Sequence, residues 1–168
     1  MAESEETTTA ETDSLQHASA DETGTLDGII HALYDSISGT VEQKRDLRRF
    51  RSLFIPEARM IPIRQNAEGK LAPIVMDVDE FFRAACEHFK VEGFFEREVA
   101  RRVETFGQVT HVFSTYESRR AEDDPEPFSR GINSIQLVHD GERFRVVTIL
   151  WDAERPDNPI PPHYLPPA

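Results

Sequence analysis

Apolar side chains recur every three or four residues in three segments of the first half of the chain, a spacing typical of amphipathic helices. The first segment covers residues 26–38, and Thr25 can serve as its N-cap. The second is ended by Pro56, because proline disfavours helical backbone in the residue before it. The third follows Asp77, which precedes Glu80 at the spacing of a capping box. The pattern therefore predicts three helices.

A short β-hairpin is predicted between the second and the third helix. Residues 59–63 and 71–75 have the composition of short strands, and turn-forming residues occupy 66–69 between them. Pro62 and Pro73 each lack an amide donor, so we expect both strands to lie at the edges of a sheet.

Beyond Gly93 the hydrophobic period changes to two, which predicts a meander of four long strands. Asp140 and Gly141 form a strong hairpin signal, and a two-residue turn there would pair Leu137 with Phe144. Both faces of this last hairpin contain apolar side chains, so both require cover. The helices can cover one face, and a second copy of the chain can cover the other, which predicts a homodimer through the sheet. The predicted strands are residues 94–105, 108–120, 128–138 and 143–153.

The negative charge is concentrated at the N-terminus. Residues 1–24 carry seven acidic side chains and neither Lys nor Arg, so they account for −7 of the formal net charge of −12. This segment has too few apolar side chains to offset the entropy of ordering, so we expect a disordered acidic arm. Six of the eleven prolines follow residue 155, which predicts an irregular proline-rich tail at 156–168. The folded domain is then residues 25–155.

Composition argues against several classes of protein. The excess of 31 acidic over 19 basic side chains is unlike a nucleic-acid-binding module, and no apolar run is long enough to span a membrane. A secretory or transit leader is absent, so the cytoplasm is the expected compartment. The six histidines are scattered, the single cysteine excludes a thiolate zinc site, and no phosphate- or dinucleotide-binding motif occurs. We therefore expect neither a metal nor a cofactor.

Residues 130–151 form a strand, an Asp-Gly turn, a bulky residue and a terminal strand that ends in Trp151. Together with residues 111–117, this segment resembles the closing strands of the nuclear transport factor 2-like superfamily and is similar to an uncharacterised bacterial group within it. The resemblance implies an α+β, cone-shaped fold, in which three N-terminal helices pack in the concave face of a strongly curved, mainly antiparallel sheet, with a pocket between them. The superfamily includes ketosteroid isomerase, SnoaL-type polyketide cyclases, scytalone dehydratase and plain binding modules, so the fold alone does not select a function.

The best single candidate for chemistry is His111, which shares one strand face with Phe113 and can act as acid or base near neutral pH. Thr115 and Glu117 continue that face, and Asn133 on the next strand could orient a substrate oxygen. If these side chains face the pocket, they form a proton-transfer site with His111 and Glu117 as catalytic residues. The alternative for His111 is a core histidine held by one hydrogen bond, or a residue of the dimer interface.

Other candidates for the pocket come from the first helix and the last strand. Tyr34 and Asp35 are similar in place to a Tyr-Asp pair of scytalone dehydratase. The favoured alternative is that Tyr34 fills the core with its hydroxyl bonded to the backbone. Trp151 could form a wall of the pocket or lie beneath the proline-rich tail. On the first long strand, one face would carry Glu96, Glu98, Arg102 and Glu104. If that face is inward, these side chains form a buried network, and if it is outward, they only favour solubility.

These observations predict a small-molecule-binding, SnoaL-like protein whose ligand is a hydrophobic metabolite. One interpretation adds proton transfer of the lyase, isomerase or cyclase kind. The alternative is a noncatalytic dimer that binds a ligand or another protein. Nucleic acid and membrane are not expected as partners.

Overall fold

The computed structural model describes residues 20–167, which form one six-stranded sheet with helices packed on one of its faces. The helices are α1 (Ala20–Thr23), α2 (Leu26–Ile37), α3 (Leu47–Ser52) and α4 (Val78–Phe89). The strands are β1 (Phe54–Gln65), β2 (Leu71–Pro73), β3 (Phe95–Phe106), β4 (Val109–Arg119), β5 (Ser129–His139) and β6 (Phe144–Ala153), and a 3-10 turn follows at Pro162–Tyr164. This is the α+β architecture that the sequence predicts, with three main helices.

The strands lie in the order β2-β1-β6-β5-β4-β3. Neighbouring strands are antiparallel except β1 and β6, which run parallel. The bounds of β3 to β6 fall within one residue of the predicted meander. Irregular pairings interrupt β3 between Glu98 and Ala100 and β5 between Gln136 and Leu137. Such bulges bend and twist a sheet, which lets it wrap around the helices.

Local sequence signals set the starts of the two long helices. Thr25 caps α2, and its hydroxyl accepts a hydrogen bond from the Gly28 amide at 3.0 Å. Asp77 and Glu80 form the predicted capping box at the start of α4. The core lies between these helices and the face of the sheet that they cover, which we call the inner face. Its largest fully buried side chains include Phe50, Ile29, Ile30, Leu53 and Ile135.

The second helix is shorter than predicted and ends for a different reason. Asp46 caps α3, which ends at Ser52. The prediction that Pro56 ends this helix is wrong, because the chain has already joined the sheet at Phe54, opposite Val146 of β6. Pro56 lies within β1 instead.

The edge position predicted for Pro62 is also wrong, since β1 lies between β2 and β6. Pro73 does lie in an edge strand, β2. Proline is tolerated at position 62 because its one backbone hydrogen-bonding group, the carbonyl, is directed toward β2 and not toward β6. Its carbonyl accepts from the Ile74 amide at 3.0 Å on the side of β1 that faces β2.

The turn between β5 and β6 is longer than the sequence predicts. Leu137 pairs with Val146 rather than with Phe144, and four residues connect the strands. The carboxylate of Asp140 accepts hydrogen bonds from two amides that follow it in the loop, which stabilises the longer turn. The bulge beside Leu137 then changes the pairing farther along both strands.

The proline-rich tail packs on the outer face of the sheet, opposite the helices. Thr115 donates through Oγ1 to the Tyr164 carbonyl at 2.6 Å, and Arg102 donates to the His163 carbonyl at 2.8 Å. The Tyr164 ring meets the edge of Phe113, with 5.0 Å between their centroids. The tail thus covers part of the face that we assigned to a second subunit, and the homodimer stays a prediction.

The described residues include a short helix before the predicted boundary at residue 25. Ala20–Thr23 form the single turn α1, and Thr23 is fully buried. Glu22 forms an ion pair with Arg49 of α3 at 2.6 Å. The folded part therefore includes at least five residues of the predicted acidic arm, and residues 1–19 of that arm lie outside the described residues.

Candidate functional site

A cavity of about 580 Å³ lies between the inner face of the sheet and helices α2 and α4. Most of its lining is apolar. Phe81 of α4 contributes one wall and packs edge-on against Trp151 of β6, with ring centroids 5.6 Å apart. Met60 of β1 and Ile149 of β6 extend the apolar surface. A concave apolar site of this size is typical of pockets for small organic ligands.

Five polar side chains meet at one place in this apolar lining, and we call them the polar floor. They come from α2, β3, β4 and β5, where inward-facing positions alternate with outward-facing ones. The polar floor consists of Tyr34, Glu96, Tyr116, Ser118 and Asn133.

The carboxyl group of Glu96 is the acid–base group of the polar floor. Ser118 donates through Oγ to Glu96 Oε2 at 2.8 Å, and the Asn133 amide also donates to this carboxylate. Burial raises the pKa of Glu96 to about 7, although the two hydrogen bonds lower it. Glu96 lines the cavity. A carboxyl group of this kind both accepts and releases a proton near neutral pH.

A chain of hydrogen bonds holds Tyr34 in the polar floor. Asn133 Nδ2 donates to the Tyr34 hydroxyl at 3.0 Å. The Tyr34 and Ser114 hydroxyls lie 2.7 Å apart, and Ser114 donates onward to the carboxylate of Glu98. Since Ser114 uses its proton on Glu98, Tyr34 is the donor to Ser114. Burial and the nearby Glu96 carboxylate hold the pKa of Tyr34 far above its usual value, so this hydroxyl stays protonated.

Tyr116 is the second protonated hydroxyl at the cavity. Burial and the Glu96 carboxylate raise the pKa of Tyr116, and the Arg64 guanidinium opposes that shift. A side chain at position 131 would occupy the space of this hydroxyl, since a Cβ there would lie 2.5 Å from Tyr116 Oη. Gly131 therefore lets the Tyr116 ring extend across β5.

A second, polar cleft of about 420 Å³ shares Tyr34 and Glu96 with the apolar cavity. Charged side chains line it, among them Glu98 and Arg101, which form an ion pair at 2.7 Å. Arg101 also pairs with Asp27 at 2.9 Å. Glu96 thus borders an apolar space and a polar space, and the polar cleft gives a carboxyl group a route for exchanging protons with water.

Three of the sequence-predicted pocket residues line the apolar cavity, namely Tyr34, Asn133 and Trp151. Trp151 forms part of the wall, which was one of its two predicted positions. Asp35 does not line this cavity, because it is one residue farther around α2 than Tyr34. It borders the polar cleft and pairs with Arg49 at 2.6 Å, with half of its side chain exposed.

The other predicted residues, His111, Phe113, Thr115 and Glu117, lie on the outer face of β4. The prediction that they face the pocket is wrong, because the even-numbered residues of β4 point toward the helices and these four point away. His111 Nε2 lies 3.0 Å from Ser134 Oγ, so it is held by a hydrogen bond outside the cavity.

Each of these four side chains has a contact within the protein that accounts for its position on the outer face without a ligand. Phe113 and Thr115 contact the tail, as described above. Glu117 accepts from Arg119 at 2.8 Å and lies 3.4 Å from Arg97. His111 also lies 3.9 Å from the exposed carboxylate of Glu104.

In the sequence, Glu96 belongs to one predicted strand face that also includes Glu98, Arg102 and Glu104. The structure divides this set. Glu96 and Glu98 point inward, whereas Arg102 and Glu104 lie opposite outward-facing residues of β4, because the bulge after Glu98 reverses the alternation. One sequence signal could have identified Glu96 as a site residue. Two acids, Glu96 and Glu98, lie at alternate positions between the apolar residues Phe95 and Val99, at the start of the first long strand.

Within residues 20–167, the side chains form no cluster of three or more His, Cys, Asp or Glu that could hold a metal ion. The helices of this part of the chain are all too short or too polar to cross a bilayer.

The sequence matches no protein-family profile and no curated protein. Solved structures do match the fold. A protein of unknown function with a cystatin-like fold from Nostoc punctiforme has a TM-score of 0.57 and 7% identity, and the match covers 76% of this chain and 87% of that one.

Two further matches are described as nuclear transport factor 2-like proteins of unknown function. The protein from Silicibacter pomeroyi has a TM-score of 0.53 and 15% identity, over 88% of this chain and all of the other. The protein from Shewanella baltica has a TM-score of 0.51 and 12% identity, over 89% and 99%. The chain therefore has the nuclear transport factor 2-like fold that its last strands predict.

Proposed function

We propose that this protein binds a hydrophobic small molecule in the apolar cavity and that Glu96 exchanges a proton with it. One observation carries the proposal: a carboxyl group with a pKa of about 7 lies at the surface of an apolar cavity, held by Ser118 and Asn133. Ionisable groups with such shifted pKa values are concentrated at functional sites. The fold is compatible with many functions, so the proposal rests on this site.

The polar floor supplies the parts of an acid–base reaction. Near neutral pH, Glu96 is present both as a base and as an acid, which suits abstraction of a proton at one carbon and its return at another atom. Tyr116 is protonated and faces the same cavity, so it can donate to a ligand oxygen that gains negative charge. This chemistry is that of a lyase, an isomerase or a cyclase.

The base can be tested without the natural substrate by using 5-nitrobenzisoxazole. A carboxylate removes the proton on C3 of this compound, the electron pair forms the nitrile, and the N–O bond breaks to release a coloured phenolate. An apolar cavity favours the reaction because it removes water from the carboxylate. We expect turnover by the full-length protein, with a rate that rises with pH around a midpoint near the pKa of Glu96, about 7.

Matched variants identify the base. Glu96→Gln should remove the elimination, and Glu104→Gln should retain it, because Glu104 is on the same strand but on the outer face and is 87% exposed. Binding is read separately from the fluorescence of Trp151, the single tryptophan of the chain, which lines the cavity. Equal rates for Glu96→Gln and wild type contradict the role of Glu96. Bound probe without turnover supports the noncatalytic alternative, and a probe that does not bind contradicts the cavity proposal.

A further inference from the structure

Arg64, near the end of β1, lines the apolar cavity without a carboxylate partner among the described residues. It is two residues beyond Pro62, which also lines the cavity, so it lies on the same face of the strand. By contrast, Arg49, Arg119 and Arg130 each pair with a carboxylate within 2.8 Å. Although the chain has 31 acidic and only 19 basic side chains, none of the described carboxylates pairs with the Arg64 guanidinium.

The position of Arg64 relative to the polar floor limits where an anion would bind. Arg64 and Glu96 are both close enough to Tyr116 to shift its pKa, in opposite directions. One small molecule in a cavity of about 580 Å³ can therefore contact Arg64 at one end and Glu96 at another point. Arg64 is exposed and also lines the cavity, so its guanidinium can reach a charged group at the opening.

We infer that the ligand of this cavity is an apolar molecule with one carboxylate group, which the Arg64 guanidinium binds while the apolar part lies against Phe81 and Trp151. This inference rests on the proposed function, because it names the ligand class of the same cavity. Guanidinium binds carboxylate through two parallel hydrogen bonds, so it selects a planar anion over a neutral alcohol or a cation. Protonated Glu96 does not repel such a ligand, and it can exchange its proton with the bound molecule.

Three probes of equal chain length test the inference: octanoate, 1-octanol and octylammonium. Affinity is measured with the full chain at about pH 6, where octanoate is ionised and Glu96, with a pKa of about 7, is mainly protonated. Trp151 fluorescence reports binding. We expect octanoate to bind about tenfold more tightly than 1-octanol and octylammonium to bind least tightly, as a charge-assisted pair at a partly exposed site predicts.

The matched variants are Arg64→Gln and Arg59→Gln. Arg59 lies on the same strand, does not line the cavity and donates to the carbonyls of Glu57 and Ala58. Arg64→Gln should bring octanoate to within about twofold of 1-octanol and leave 1-octanol binding unchanged, whereas Arg59→Gln should retain the preference.

The outcomes separate the two proposals. Equal binding of octanoate and 1-octanol by wild type, or an undiminished preference in Arg64→Gln, overturns the inference and leaves the cavity proposal standing. If none of the three probes changes Trp151 fluorescence or binds by calorimetry, the cavity proposal fails and the inference fails with it.

Discussion

Replacing Glu96 by glutamine should remove a pH-dependent part of the stability of the protein. Burial raises the pKa of Glu96 from an ordinary value of 4.5 to about 7 in the folded state. The folded state therefore retains a proton that the unfolded chain releases. This contribution to stability is complete below about pH 4.5 and is lost as the pH rises through about 7. A pKa difference of roughly 2.5 corresponds to a total of about 3 kcal/mol.

The measurement is urea or thermal unfolding of wild type, Glu96→Gln and the surface control Glu104→Gln at pH 5.5 and pH 8. Integrating the two titrations between these pH values gives a loss of about 2 kcal/mol for wild type, or about 4–8 °C in Tm for a chain of this size. Glu96→Gln has no proton to release at this position. Its loss of stability between pH 5.5 and pH 8 should therefore be smaller than that of wild type by about 2 kcal/mol. Glu104→Gln should follow wild type, because Glu104 is exposed.

Comparison among the three proteins is necessary because other carboxyl groups titrate in all of them. If wild type and Glu96→Gln lose the same stability between the two pH values, the Glu96 carboxyl is solvated in the folded state. The acid–base role proposed for it would then have no physical basis.

Three further substitutions test the geometry of the fold and the site. Thr115→Val removes the hydrogen bond to the Tyr164 carbonyl, so amide hydrogen exchange in residues 160–167 should become faster while exchange in α2 stays unchanged; unaltered tail exchange contradicts this anchor. Gly131→Ala places a methyl group 2.5 Å from Tyr116 Oη, so the free energy of unfolding in urea should fall by about 1–3 kcal/mol, and wild-type stability would refute the close approach. Tyr34→Phe leaves buried hydrogen-bonding groups without their partner and should cost about 1–3 kcal/mol in the same assay; a neutral effect contradicts the buried chain.

Periodicity and capping residues were sufficient to predict most elements of the fold. The apolar spacing of residues 26–38 gives α2, the Asp77–Glu80 pair gives the start of α4, and the period of two gives the meander. These signals are local, because they depend on side chains within one or two turns of backbone. The position of β1 beside β6 is not local, and nothing in residues 54–65 specifies which strand they pair with.

The candidate site was harder to predict because it depends on which way each strand faces. A single bulge after Glu98 separates Glu96 from Glu104, and alternation read along the sequence cannot show where the bulge lies. Likewise, the apolar neighbours of His111 indicate that its face of β4 is covered, but they do not indicate whether the helices or another segment cover it. The tail covers that face, and its contact with Thr115 depends on residues some 50 positions away.

The parallel pairing of β1 with β6 has a consequence for how the protein is made. Residues 54–65 leave the ribosome long before residues 146–151, with which they pair, and contacts over such a sequence distance form slowly. Until β6 is synthesised, β1 has an unpaired edge and the cavity lacks the wall formed by Ile149 and Trp151. The ligand proposed for this cavity can therefore stabilise only chains whose synthesis has passed the last strand.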